Sequence, residues 1–91
     1  MVKLEQYGET NEGRPLLLAY ISSPDNIRNL EMIRMNNLRL ANLTKDRMAP
    51  VEENAPAIVW LSYNVHGNEP ASSEAALMTL YALSDPSDAN T

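Results

Sequence analysis

Ala57-Ile58-Val59-Trp60-Leu61-Ser62-Tyr63-Asn64-Val65-His66-Gly67-Asn68-Glu69-Pro70 is the stretch on which the reading of this chain turns. Residues 57–65 are rich in β-branched and aromatic side chains and carry no charge. Such side chains fit a pleated, covered surface, so 57–65 is predicted to be the best strand in the chain. A near-continuous apolar run further predicts burial on both faces and a parallel neighbour. His66-Gly67-Asn68-Glu69-Pro70 breaks that pattern abruptly. Beyond it, Ala76, Leu77, Leu80, Tyr81 and Leu83 form an apolar stripe that predicts a helix over 70–83. Pro70 suits a first helical turn, and Glu74 suits the positive end of the helix dipole.

Working back from residue 57, the segment 44–56 lacks periodicity and holds two prolines, which predicts a solvated loop with Glu52-Glu53 exposed. Before it, Ile27, Leu30, Ile33, Met35, Leu38 and Ala41 recur mostly at spacings of three and four, predicting an amphipathic helix over 26–43. Ser23, Asp25 and Asn26 are its candidate N-caps, and Glu31 and Arg34 form an i,i+3 surface pair. At the front, Val2 and Leu4 alternate weakly, and Pro15-Leu16-Leu17-Leu18-Ala19-Tyr20-Ile21 is an apolar run reading as a buried strand. The glycine-bounded turn Gly8–Gly13 joins them into a β-hairpin over 2–22. Residues 84–91 form a polar tail. The order is hairpin, helix, strand, helix: an α/β pattern with a partial mixed sheet.

Composition narrows the function classes. The 91 residues hold 44% hydrophobic and 21% charged side chains, ordinary values for a folded chain. A chain of this size has a thin stability margin. Without cysteine, neither a disulfide nor a thiolate metal site can form. The net charge is −5 with Lys and Arg scattered singly, which predicts no nucleic-acid partner and no anionic membrane partner. There is no apolar run long enough to span a bilayer. Met1–Gln6 lacks the apolar core of a secretory signal, which says nothing of any segment upstream.

The chemistry is concentrated in the break after residue 65. His66 is the one histidine of the chain, and Glu69 follows it by three. Open α/β sheets place ligands where a strand ends and a helix begins. At a strand-to-helix bend an imidazole nitrogen and a carboxylate can converge on one ion, and zinc takes such donors. Gly67 is expected to permit a tight turn, and Asn68 offers an amide to a ligand or substrate. Bare His-x-x-Glu spacing arises often by chance; strand-end placement between Gly67 and Pro70 adds weight to the metal reading.

Two separated elements resemble the zinc carboxypeptidase family of M14-type metallopeptidases. Glu12-Gly13-Arg14-Pro15, opening an apolar strand, looks like that family's Glu-Gly-Arg-Pro element. The strand ending in His66-Gly67-Asn68-Glu69 resembles its His-x-x-Glu zinc motif. Together they cover the chain from about Tyr7 to Leu83 in the expected order. The resemblance implies an N-terminal fragment of a larger α/β/α catalytic domain, with His66 and Glu69 as ligands to one catalytic zinc. It implies a peptide substrate, with the metal polarising the scissile carbonyl and activating water for attack on a C-terminal peptide bond. The family's second histidine, general-base glutamate and carboxylate-binding arginine lie further downstream than Thr91. No residue present is therefore assigned a catalytic role, and the isolated chain is expected to be inactive and to hold zinc weakly or not at all.

One departure concerns specificity. Digestive members carry arginine just before the second ligand, whereas this chain has Asn68, which has no charge to offer a substrate carboxylate. His-Gly-Asn-Glu also resembles related amino-acid deacylases of the aspartoacylase and desuccinylase types; Glu-Gly-Arg-Pro favours the carboxypeptidase side. A non-catalytic binding or assembly module is a further alternative. The resemblance points to a secreted or periplasmic parent, while the residues themselves indicate no compartment.

The remaining conspicuous residues read as structural. Arg14 is expected in a buried or half-buried ion pair that pins its turn, with Glu12 the near carboxylate. Trp60, Tyr20 and Tyr63 are expected in the core or at a sheet edge, and Met32, Met35 and Met78 as packing filler. Ser72 and Ser73 lack a partner base and are not nucleophile candidates. An unpaired edge along 57–65 is expected to recruit another chain, giving a homo-oligomer.

Overall fold

A computed structural model describes residues 1–45, 52 and 54–87. Residues 46–51 and 53 of the expected loop, Glu53 among them, and residues 88–91 of the polar tail lie outside the described residues. The chain opens with β1 (Val2–Glu9) and β2 (Pro15–Ile21), paired antiparallel. The α-helices are α1 (Pro24–Arg28), α2 (Leu30–Leu40) and α3 (Ala71–Ser84). This is mixed α/β structure with a two-stranded antiparallel sheet.

The hairpin follows its turn chemistry. Gly13 N–H donates to Thr10 C=O at 2.9 Å, and Thr10 N–H donates to Arg14 C=O at 2.9 Å. Gly13 sits at φ 76°, the left-handed position that closes three-residue hairpin loops. Arg14 N–H also donates to the Thr10 hydroxyl at 3.1 Å. Arg14 pairs with Glu12 at 2.6 Å, but both side chains are largely exposed, not buried or half-buried as expected, so the pair adds little stability. Gln6 opposes Leu17 and Gly8 opposes Leu16, leaving Tyr7 as the extra residue of a bulge. Along β2, Leu16, Leu18 and Tyr20 are half-buried while Leu17 is 54% exposed. The apolar run is thus half-buried on one face and exposed on the other, where burial on both was expected.

The helix expected over 26–43 is two helices. The Ser23 hydroxyl accepts from Asn26 N–H at 3.2 Å, so α1 begins at Pro24. Asn29 ends α1: its N–H bonds to Asp25 and Asn26 carbonyls, and its Nδ2 donates to Asp25 C=O at 3.0 Å. An asparagine side chain that competes for a helical carbonyl offers the backbone another way to turn. α2 then closes with Asn42 at φ 56°. Leu43 N–H reaches Leu38 C=O at 2.8 Å and Asn42 N–H reaches Arg39 C=O at 2.9 Å, a Schellman termination.

The strand expected over 57–65 forms no ladder, since among the described residues no strand lies beside it. Its side chains are exposed instead of buried, with Trp60 at 72% and Val59 at 77%. Met32 and Met78 are likewise exposed, as are Leu77 and Tyr81 on the stripe of α3, while Met35 is half-buried. Among the described residues no hydrophobic side chain is buried, and Asn36 is the one buried residue. The Cα radius of gyration is 16.0 Å, against about 12 Å for a compact chain of this length. Apolar surface fit for a core is present; what would cover it is absent from these residues. Among them no helix is long and apolar enough to cross a membrane.

Candidate metal site

His66 lies in the bend between residue 65 and α3. Glu69 N–H donates to His66 C=O at 3.2 Å, closing a turn of which Gly67 and Asn68 are the middle residues. Ser72 N–H then donates to Glu69 C=O at 3.3 Å, carrying the chain into α3. The turn brings the backbones of His66 and Glu69 together at its two ends. His66, Asn68 and Glu69 are all exposed, so a ligand or ion can reach them from solvent.

Gly67 lies within the tight turn expected of it, without a left-handed backbone. The left-handed residue here is Asn64, at φ 58°, and Gly67 is not in that region. Asparagine tolerates this conformation better than other residues with a Cβ, because its short polar side chain bonds locally. Asn64 N–H donates to the Ser72 hydroxyl at 2.7 Å, and the Ser73 hydroxyl donates to Asn64 Oδ1 at 3.2 Å. Tyr63 OH donates to Thr79 Oγ1 at 2.9 Å, further along α3. The bend is therefore tied to α3 by hydroxyls that sequence reasoning dismissed as lacking a catalytic partner. The signal was available: asparagine just before a bend and serines opening a helix are residue types that bond to backbone.

The model of the zinc carboxypeptidase family matches residues 1–91. The chain belongs to the zinc carboxypeptidase family. No curated protein and no solved structure gives a significant match. Zinc takes imidazole nitrogen and carboxylate oxygen, so the pair of side chains His66 and Glu69 suits that metal in kind. It falls short in number. Among the described residues no group of three or more histidine, cysteine, aspartate or glutamate side chains could hold a metal ion. His66 and Glu69 can offer two ligands, one fewer than the three protein ligands of an open catalytic zinc site.

Proposed function

We propose that these residues are part of a zinc-dependent metallocarboxypeptidase that hydrolyses C-terminal peptide bonds. His66 and Glu69 serve as two of its metal ligands. The observation that carries this reading is the sole histidine, three residues before Glu69 on an exposed bend leading into a helix, in a chain that matches the family model throughout. Bound there, zinc would supply Lewis acidity toward the scissile carbonyl and toward the attacking water. His66 would bind through a ring nitrogen and Glu69 through carboxylate oxygens. Asn68, between them and exposed, would present its amide to the substrate.

With a single histidine in the sequence, a second imidazole ligand has to come from outside these 91 residues. Residues 1–91 by themselves are therefore proposed to be inactive. A second reading, an amino-acid deacylase, is supported by the run His66-Gly67-Asn68-Glu69, which also resembles the motif of those enzymes.

The test is made on the protein as its gene encodes it. Metal analysis should give zinc in the wild type and its loss in His66→Ala and in Glu69→Ala. Hydrolysis of peptides with a free C-terminus, and not of N-acyl amino acids, supports the peptidase; the reverse preference supports the deacylase. Full zinc content and full activity in His66→Ala would refute both.

A further inference from the structure

The bend is held at its base by two serine hydroxyls that bond to Asn64. Asn64 precedes His66 by two residues, and Ser72 follows Glu69 by three. The 2.7 Å bond from Asn64 N–H to the Ser72 hydroxyl joins these two points and makes 64–72 a closed loop. The Ser73 hydroxyl adds a second tie, to Asn64 Oδ1, from the next residue of α3. Inside that loop the 3.2 Å bond from Glu69 N–H to His66 C=O sets the local turn. Among the described residues no ladder supports 57–65, so these ties, with Tyr63 to Thr79, are its bonds to α3.

We propose that Asn64, Ser72 and Ser73 are positioning residues for the metal turn, fixing the separation of the His66 and Glu69 backbones before an ion arrives. This rests on the assignment of His66 and Glu69 as ligands. Two ligands on an untied bend would have to be ordered by the ion itself, at the expense of affinity, whereas a tied bend offers them already close. Ser72 supplies the acceptor that holds the loop shut. Asn64 contributes through its left-handed backbone, through its N–H, and through the side-chain oxygen that Ser73 engages.

The experiment is a zinc titration of the protein as its gene encodes it, by calorimetry, with amide hydrogen exchange read at Asn64. Ser72→Ala should weaken zinc binding about tenfold, the low end for loss of a residue that orients a ligand. It should also speed exchange at the Asn64 N–H, while helix content by circular dichroism stays at the wild-type level. Ser72→Thr, which keeps the hydroxyl, should restore both readings. Asn64→Gly keeps the backbone conformation and loses only the Ser73 tie, so a smaller weakening is expected. Should Ser72→Ala cost helix content, Ser73→Ala and Asn64→Gly provide the same reading without removing the closing bond. Wild-type zinc affinity in all three variants, with binding still abolished by His66→Ala, overturns the positioning role alone. Zinc affinity unchanged in His66→Ala overturns the ligand assignment and the positioning role with it.

Discussion

Asn36 pairs its side-chain amide with both backbone groups of Glu52: Nδ2 donates to the Glu52 C=O at 3.0 Å, and Oδ1 accepts from the Glu52 N–H at 2.8 Å. Asn36 is only 7% exposed, so the one buried position among the described residues is given to an amide that captures a passing loop. Asn37 adds a weaker tie, its Nδ2 lying 3.4 Å from Pro56 C=O. The chain leaving α2 is thus returned alongside that helix before it runs toward His66. Asn36→Ala should destabilise the protein by about 1 kcal/mol, the cost of lost bonds whose backbone partners can turn to water. Asn36→Asp keeps the acceptor and loses the donor, so it too should destabilise the protein. Urea unfolding midpoints of the three proteins check the order, and an unchanged midpoint for Asn36→Ala would contradict it.

Gly13 closes the hairpin at φ 76°, and nothing lies within 4 Å of where a Cβ would stand. Space is therefore not the constraint on that position; backbone conformation is. Gly13→Ala should cost about 1–2 kcal/mol, the penalty for a side-chain-bearing residue in the left-handed region. Gly13→Asn should cost less, because asparagine visits that region more readily. Thermal or denaturant unfolding of both variants tests the ranking. Equal losses would point to a cause other than φ.

Much of this was legible in the sequence, and the omissions have physical causes. The hairpin and its turn follow from local chemistry: Gly13 supplies the positive φ, and the loop needs nothing from elsewhere. Pro24 after a capping serine and the polar end of α3 are equally local. The division at Asn29 was hidden because apolar spacing stays helical across it, while the interruption comes from an amide bonding Asp25 C=O. Residues 57–65 have strand composition, but a strand is a property of two segments, and composition reports only one. His66 and Glu69 stood out by type and spacing. Asn64, Ser72 and Ser73 are of types that form local bonds, but which of them meet is set by the fold, where both serines bond to Asn64.

Acid should loosen α2 at its N-terminal end. The Glu31 carboxyl is held below its ordinary range, first by hydrogen bonds from Arg34 and then by the charge of that guanidinium, with burial opposing. Arg34 Nε donates to Glu31 Oε2 at 2.8 Å. A depressed carboxyl contributes stability that is present above its unfolded value, about 4.3. That contribution disappears as pH falls through the lower folded value. Both side chains are more than half exposed, so the effect is small and screened by salt. Glu31→Gln should therefore be slightly less stable than wild type at neutral pH and low ionic strength. The difference should vanish on acidification below the carboxyl range, and should shrink in high salt. A gap between the two proteins that widens as pH falls would reverse the sign and refute the account.

Trp60 reports on what covers residues 57–65. It is the one tryptophan of the chain, 72% exposed in a segment without a ladder, with Val59 at 77% and Val65 at 73% beside it. An indole can remove 150–250 Å² from water when it is covered, so a bare segment of strand composition favours whatever neighbour is available. In a preparation of residues 1–91 alone, that neighbour is expected to be a second copy, joined along the unpaired edge. Trp60 emission should then resemble that of free indole in water at low concentration and move to the blue as concentration rises. Light scattering should report a matching rise in mass. Trp60→Lys should hold the chain monomeric, because a charge on the edge opposes pairing with an identical strand. An emission maximum that stays fixed while the mass remains that of one chain would show that the exposed segment 57–65 does not pair with itself.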